Sequence, residues 1–144
     1  MTATGHCLCG AVQVSARTLS DKISACHCAM CRRWSGGIQM GIEAPESDVT
    51  ITGPVQTYRS SAIAERAWCE RCGSAIWFRY VDGPDKGFFE LAPGLFENAG
   101  NAKLTREVYA DACPEGYALA GDHQRVTKAD YEATHGFVSE GESQ

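Results

Sequence analysis

The sequence predicts a small, mostly β domain made of several short, coiled antiparallel sheets, with a short helix near the C-terminus. Three observations support this fold class. Hydrophobic and polar residues alternate over short stretches, turn signals separate those stretches, and seven of the eight cysteines fall into three tight groups. Alternation with a period of two is typical of strands that bury one face, and frequent turns are typical of an antiparallel meander.

The alternating stretches extend over much of the chain. They comprise Val12 and Val14, then Ile38, Met40 and Ile42, then Val49 and Ile51, and then Ile76 and Phe78. Turn signals lie between or after them, at Gly36–Gly37, Gly53–Pro54, Gly83–Pro84 and Pro93–Gly94. One helix is predicted over Lys128 to His135, because Thr127 followed by Asp130 resembles a capping box.

Length and composition indicate one globular unit. The 144 residues suit a single domain, which we assign to residues 1–138, with residues 139–144 as an acidic disordered tail. Hydrophobic residues make up 44% and charged residues 22%, values that argue against a disordered chain. No apolar run is long enough to predict a membrane span, so we expect no membrane partner.

The net charge and the N-terminal residues bear on nucleic-acid binding and on cellular location. The formal net charge is -5 and the 13 basic residues are dispersed, so we expect no nucleic-acid partner. The opening residues, MTATGHCLCG, lack the basic and apolar regions of a secretory signal, which predicts a cytoplasmic protein. Thiols stay reduced in that compartment, so the cysteines are better explained as metal ligands than as disulfides.

Two of the cysteine groups predict a structural zinc site. Cys69 and Cys72, followed by Gly73, have the spacing of a zinc knuckle, and the segments AERAW and SAIWFRY on either side indicate a hairpin. Two thiolates cannot complete a tetrahedron. Cys7 and Cys9 supply two more, which gives a closed site with four thiolates.

The middle group predicts a second zinc of a different kind. Cys26, Cys28 and Cys31 give three ligands and leave one position for substrate, the arrangement of a catalytic zinc, which we expect to be labile. Cys113 or one of the histidines could instead complete this set, and both zincs would then be structural. We expect Cys113 to be a buried apolar thiol, His27 to turn away from the metal, and the other histidines, His6, His123 and His135, to be solvated.

The order CxCG, CHCxxCRRWSG and CxxCGS resembles the glutathione-dependent formaldehyde-activating enzyme family, which includes centromere protein V. The resemblance extends over roughly residues 5 to 118 and departs near the C-terminus, at ADACPEGYALAGDHQR. It implies a mostly β fold around two zinc ions and a carbon–sulfur lyase that condenses glutathione with formaldehyde. It also implies the ligands of each zinc. The structural zinc would be bound by Cys7, Cys9, Cys69 and Cys72, and the catalytic zinc by Cys26, Cys28 and Cys31.

The expected partner is therefore a small thiol such as glutathione, or another thiol adduct, and no particular oligomeric state is predicted. Because such a thiol carries carboxylates, Arg32 and Arg33 are candidate substrate-binding residues, and Trp34 is a candidate pocket wall. The alternative for both arginines is a solvated face or an internal ion pair, which explains Arg33 equally well. The alternative function is a non-catalytic, zinc-stabilised protein-interaction module.

Overall fold

The computed structural model describes residues 2–135, which form two β-sheets and two α-helices. In chain order the strands are β1 (Ala3–His6), β2 (Gln13–Ala16), β3 (Lys22–Cys26), β4 (Gln39–Pro45), β5 (Val49–Thr52), β6 (Val55–Arg59), β7 (Ala64–Cys69), β8 (Ala75–Tyr80), β9 (Phe88–Leu91), β10 (Lys103–Val108) and β11 (Gln124–Val126). The helices are α1 (Ala29–Ser35) and α2 (Lys128–His135). The small sheet has the order β1-β2-β5, and the large sheet has the order β11-β10-β3-β4-β9-β8-β7-β6.

The predicted mostly β fold is confirmed, as is the hairpin, which is formed by β7 and β8. Two pairings differ from the antiparallel expectation, because β10 runs parallel to both β3 and β11. Parallel strands need a long connection, and turn signals report only pairings between neighbours in sequence. Since β3 and β10 are far apart along the chain, nothing local predicts that they meet.

Both helices begin at side-chain caps. The predicted helix α2 is confirmed, with the Asp130 backbone amide donating to Thr127 Oγ1 over 3.2 Å. Helix α1 was not predicted. It begins after Cys28, whose Sγ accepts from the Cys31 amide, and ends at Gly36, where φ is 83°. The predicted turn at Gly36 is therefore a left-handed helix cap.

The described part of the chain ends before the predicted acidic tail, so residues 139–144 lie outside it. Within residues 2–135 no helix has the length and apolar character needed to cross a bilayer.

The large sheet has one apolar and one polar face. Successive side chains of a strand point to opposite sides. Ala44 and Leu91 are fully buried, and they pack together with Val14 of the small sheet in the main core. Glu43 and Glu90 pair across β4 and β9 at the intervening positions, so they project from the other face. The core therefore lies between the sheets and leaves the second face of the large sheet available for a site.

Gly5 of β1 connects the small sheet to the segment that follows β9 of the large sheet. It forms a bridge to Phe96 beyond the large sheet, and a Cβ at this position would lie 2.4 Å from the carbonyl oxygen of Leu95. We expect Gly5→Ala to lower the free energy of unfolding by about 1–3 kcal/mol, because the added methyl group forces β1 away from this backbone. Urea denaturation followed by circular dichroism measures the change.

Gly116→Ala is the matched control. A Cβ there meets no atom within 4 Å, so we expect the free energy of unfolding to change by less than about 1 kcal/mol. Equal losses of stability in the two variants would contradict the close packing of β1 against Leu95.

Candidate functional site

The first candidate metal site is a four-cysteine cluster at one end of the hairpin. Its members lie in two similar turns, one after β1 and one after β7. In the first turn the Gly10 amide donates to the carbonyl of Cys7, and in the second the Gly73 amide donates to the carbonyl of Cys69. Both glycines have a positive φ, near 80°, which lets the backbone curl so that the preceding cysteines face one point. The cluster is made of Cys7, Cys9, Cys69 and Cys72.

The sulfur positions of this cluster fit a tetrahedral ion. Cys9 Sγ lies 3.6 Å from Cys7 Sγ and 3.8 Å from Cys69 Sγ. Zinc–sulfur bonds of about 2.3 Å in a tetrahedron place sulfurs about 3.8 Å apart. Hydrogen bonds from Ser74 lower the pKa of Cys72 to about 5, so a thiolate is favoured there before any metal binds. The donor set therefore suits a closed structural zinc site.

The second candidate metal site is a three-cysteine cluster on the polar face of the large sheet. Cys26 ends β3, Cys28 caps α1, and Cys31 lies in the first turn of that helix. Their sulfur atoms all lie within 4.8 Å of one another. Hydrogen bonds from the Cys26 and Cys31 thiols lower the pKa of Cys28 to about 3, so the cluster is negatively charged at neutral pH. Three sulfurs that share negative charge are a suitable donor set for zinc.

His27 is turned away from these sulfurs, as predicted. Its side chain is fully buried, and Nε2 lies 2.6 Å from Oε1 of Glu107 on β10. Glu107 also contacts His123 and lies 3.2 Å from Arg125 Nε. Burial favours a higher pKa for Glu107, but hydrogen bonds from His123 and His27 outweigh it and lower the pKa. This buried group of charged side chains holds His27, the residue between Cys26 and Cys28, in place.

The other candidate ligands are outside both clusters. The Cys113 thiol donates to the carbonyls of Pro114 and Tyr117, and it is half-buried instead of fully buried as predicted. His6 is exposed, as predicted. The prediction of a solvated His123 is wrong, because its side chain is only 5% exposed beside Glu107. His135 is half-buried, not solvated, and stacks on Tyr131. Among residues 2–135, no fourth His, Cys, Asp or Glu joins the three-cysteine cluster.

Arg66 of β7 provides the positive charge next to the three-cysteine cluster. It is 2% exposed, and its Nη2 donates to Cys31 Sγ over 3.7 Å while Nη1 donates to Gln39 Oε1 over 2.6 Å. The guanidinium also lies over the rings of Phe78 and Trp34. Within the described residues it has no carboxylate partner. A buried cation needs an opposing charge, and the sulfurs supply it here.

A pocket of about 90 Å³ opens directly above the three-cysteine cluster. Its floor is the polar face of the large sheet, and α2 covers one side through Tyr131. The hydroxyl oxygens of Tyr131 and Tyr80 lie 2.9 Å apart, which ties α2 to β8. Burial raises the pKa of both tyrosines, so both hydroxyls stay protonated at neutral pH. A water needs about 10–15 Å³ of such space, so the enclosed part accepts a reacting group, not a whole peptide.

The predicted substrate-binding residues of α1 lie beside this pocket, not in its lining. Arg32 donates through Nε to the carbonyl of His27 over 2.9 Å. Arg33 is exposed. Trp34 packs on Trp68 and Tyr58 and lines a separate apolar groove, which shares Phe78 with the pocket. The structure thus gathers the seven cysteines into two clusters, but it does not place Arg32, Arg33 or Trp34 in the lining of the pocket.

Sequence reasoning missed the charged residues that do line the pocket, Arg66, Arg106 and Glu90. A signal existed for Arg66, because alternation along a strand places it on the same face as Ala64. Arg106 and Glu90 come from β10 and β9, and nothing in their local sequence indicates that these strands approach the cysteines.

Comparison with known proteins identifies relatives of this chain. Residues 2–112 match the model of the family described as glutathione-dependent formaldehyde-activating enzyme. The chain is 32% identical over 124 residues to a protein of Schizosaccharomyces pombe described as an uncharacterized lyase, covering 85% of this chain and 89% of the relative.

A solved structure has the same fold. The crystal structure of a Rhodobacter sphaeroides protein superposes with a TM-score of 0.54 and 20% identity, over 85% of this chain and 99% of the other. The family match spans both cysteine clusters and most of the two sheets. The chain belongs to the glutathione-dependent formaldehyde-activating enzyme family.

Proposed function

We propose that this protein is a zinc-dependent carbon–sulfur lyase acting on glutathione or a related thiol adduct, as in the reversible condensation of glutathione with formaldehyde to S-(hydroxymethyl)glutathione. The observation that carries the proposal is the three-cysteine cluster beneath a pocket, with no fourth protein ligand among residues 2–135. The family description and the relative described as a lyase support the reaction class.

Two zinc ions would have different roles. The four-cysteine cluster would hold a structural ion, and Cys26, Cys28 and Cys31 would hold the catalytic one. Zinc with an open position accepts an exogenous thiol and favours its thiolate form. All eight cysteines are free, and such a site requires reduced thiols, which supports a cytoplasmic location.

The reaction balances without an oxidant or reductant. A bond forms between the thiol sulfur and the carbonyl carbon, the carbonyl π electrons move to oxygen, and the thiol proton is transferred to that oxygen. The reverse reaction breaks the same bond and releases thiol and aldehyde. The pocket suits this chemistry because its enclosed part accepts a sulfur and a small carbonyl group.

The chain contributes charge balance and exclusion of water. Three thiolates exceed the charge of one Zn²⁺ by one, and the buried guanidinium of Arg66 offsets the difference. This compensation lowers the electrostatic cost of adding another anionic sulfur. Phe78, Tyr80 and Tyr131 line the pocket beside the cluster and limit access of water. Arg32, Arg33 and Trp34 remain predicted contacts for parts of a substrate that extend beyond it.

Counting bound metal by native mass spectrometry tests the two-site proposal. We expect two zinc ions per chain in protein purified without chelator, with glutathione adding to that species. Cys28→Ser should keep one zinc and the fold and lose glutathione. Cys69→Ser should lose the other zinc together with much of the fold, because structural zinc sites contribute roughly 10–16 kcal/mol.

Cys113→Ser is the control for these variants, because Cys113 lies in neither cluster. It should retain two zincs and bind glutathione. Two retained zincs without any thiol binding would contradict the lyase proposal and favour the zinc-stabilised interaction module.

Replacing Arg66 tests the charge compensation. We expect Arg66→Met to weaken glutathione binding about 10- to 100-fold with zinc content unchanged, since contacts with a charged group contribute about 1.5–3 kcal/mol. Arg66→Lys should recover part of the loss, because it restores the charge without the planar donor pair. Isothermal titration calorimetry gives the affinities.

Arg59→Met provides the matched control, since Arg59 lies exposed on the neighbouring strand and outside the pocket lining. Measuring Arg32→Ala in the same titration tests the sequence-based assignment. A loss for Arg32→Ala without one for Arg66→Met would contradict the charge compensation by Arg66 and favour a substrate contact at Arg32 of α1.

A further inference from the structure

The polar face of the large sheet continues beyond the cysteines into a second groove. This groove, of about 470 Å³, crosses β10, β3, β4 and β9 and shares Ser24, Gly41, Glu90 and Arg106 with the pocket above the three-cysteine cluster. Ser24 lies two residues before Cys26 on β3, about 7 Å along the strand. A molecule with its sulfur at the cluster can therefore extend into the groove.

Arg106 supplies a cation to this groove. It is half-buried on β10, and its Nε donates to Ser24 Oγ on the adjacent strand over 3.2 Å. That hydrogen bond directs the guanidinium across β3 towards β4. No carboxylate among residues 2–135 forms an ion pair with it. The remaining guanidinium donors are available to a ligand anion, which arginine binds in a two-pronged geometry.

Glu90 supplies an anion from the opposite side. Its side chain lies over Gly41, where an added Cβ would be 2.7 Å from Oε2 and 2.8 Å from the Glu90 Cβ. Only glycine at position 41 leaves this space open. The Glu90 carboxylate has no hydrogen-bond or ion-pair partner within the described residues, and burial, followed by the nearby charge of Glu43, raises its pKa to about 7. A carboxylate in this situation would be stabilised by a ligand cation.

The two groups face each other across β3 and β4 without pairing directly. Arg106 extends over Ser24, Glu90 extends over Gly41, and Ser24 and Gly41 are direct neighbours in the sheet. A ligand group that bears a carboxylate and an ammonium side by side satisfies both. A neutral group balances the charge of neither residue, and a simple carboxylate balances the charge of Arg106 alone.

From this arrangement we infer that Arg106 and Glu90 form a subsite for the zwitterionic α-amino-acid end of the substrate, with Arg106 on the carboxylate and Glu90 on the ammonium. The inference rests on the proposed function for the placement of sulfur, and it restricts the substrate class. Accepted thiols and thioethers carry a free α-amino-acid group, as the γ-glutamyl end of glutathione does.

Calorimetric titration with two thioethers tests the subsite apart from thiol chemistry. S-methylglutathione keeps the zwitterionic end and has no thiol to deprotonate, whereas its N-acetyl derivative lacks the ammonium charge. The wild-type protein should bind S-methylglutathione about 10- to 100-fold more tightly than the N-acetyl derivative. Glu90→Gln should abolish this preference, and Arg106→Gln should weaken binding of both ligands.

Glu97→Gln and Arg17→Gln are matched controls. Both residues are exposed and lie outside the pocket and the groove, so the preference should stay as in wild type. Zinc content, counted in every variant, shows that the clusters remain intact.

The pH dependence gives a second readout. Glu90 is charged above its pKa of about 7, so affinity for S-methylglutathione should fall as the pH drops through that value in wild type and stay level in Glu90→Gln. The other titratable or charged groups that line the cavities around Glu90 come from β3, β4, β7, β8, β10, both helices and the loops before α1, before β9 and after β10. They are Lys22, Glu43, Arg66, Arg79, Tyr80, Asp85, Arg106, Tyr109, Tyr131 and His135, together with Cys26, Cys28 and Cys31. All of them remain in Glu90→Gln, so a level profile identifies Glu90.

Equal affinity of the wild-type protein for the two thioethers would overturn the subsite, as would an unchanged preference in Glu90→Gln or no binding at millimolar ligand. These outcomes are separable from failure of the lyase proposal. Loss of the preference in Glu90→Gln, together with intact binding of S-methylglutathione by Cys28→Ser, supports the subsite by itself. Glutathione bound to zinc without any preference between the thioethers supports the lyase proposal and rejects the subsite.

Discussion

The distance between the sulfurs of the four-cysteine cluster is the constraint on which the rest of the structure depends. Cys7 and Cys9 follow the first strand of the small sheet, and Cys69 and Cys72 lie in the hairpin of the large sheet. Sulfur separations near 3.8 Å join the two sheets at one point. Strands of three to seven residues bury limited apolar area, so an ion bound by these cysteines would add stability that packing alone does not supply.

Because the two sheets are held together, the two faces of the large sheet have different surroundings. One face packs with the small sheet around Leu91 and Ala44 and holds the apolar core. The other faces the pocket, where Arg66, Arg106 and Glu90 lie among aromatic side chains. Charged groups at these positions would be costly in the core, whereas around a pocket they can be balanced by a ligand or by thiolates.

Two buried charge networks define the three-cysteine cluster from opposite sides. Glu107 holds His27, the residue between Cys26 and Cys28, and thereby fixes the loop that carries these two cysteines. Arg66 approaches from β7 and contacts the sulfur of Cys31 directly. The first network sets the position of the sulfurs and the second balances their charge. Both Glu107 and Arg66 come from strands that are distant in sequence from the cysteines, so these charges reach the cluster only in the assembled sheet.

The sequence alone determined the mostly β class, the hairpin around Cys69, the helix at Lys128 and the division of seven cysteines into sets of four and three. These follow from alternation, capping and chelate spacing, which are local properties. Only the tertiary structure decided which charges face the cluster, because the parallel pairing of β3 with β10 and the packing of β8 against β9 bring Arg106 and Glu90 to it. Such pairings join distant segments, and no spacing along the chain records them.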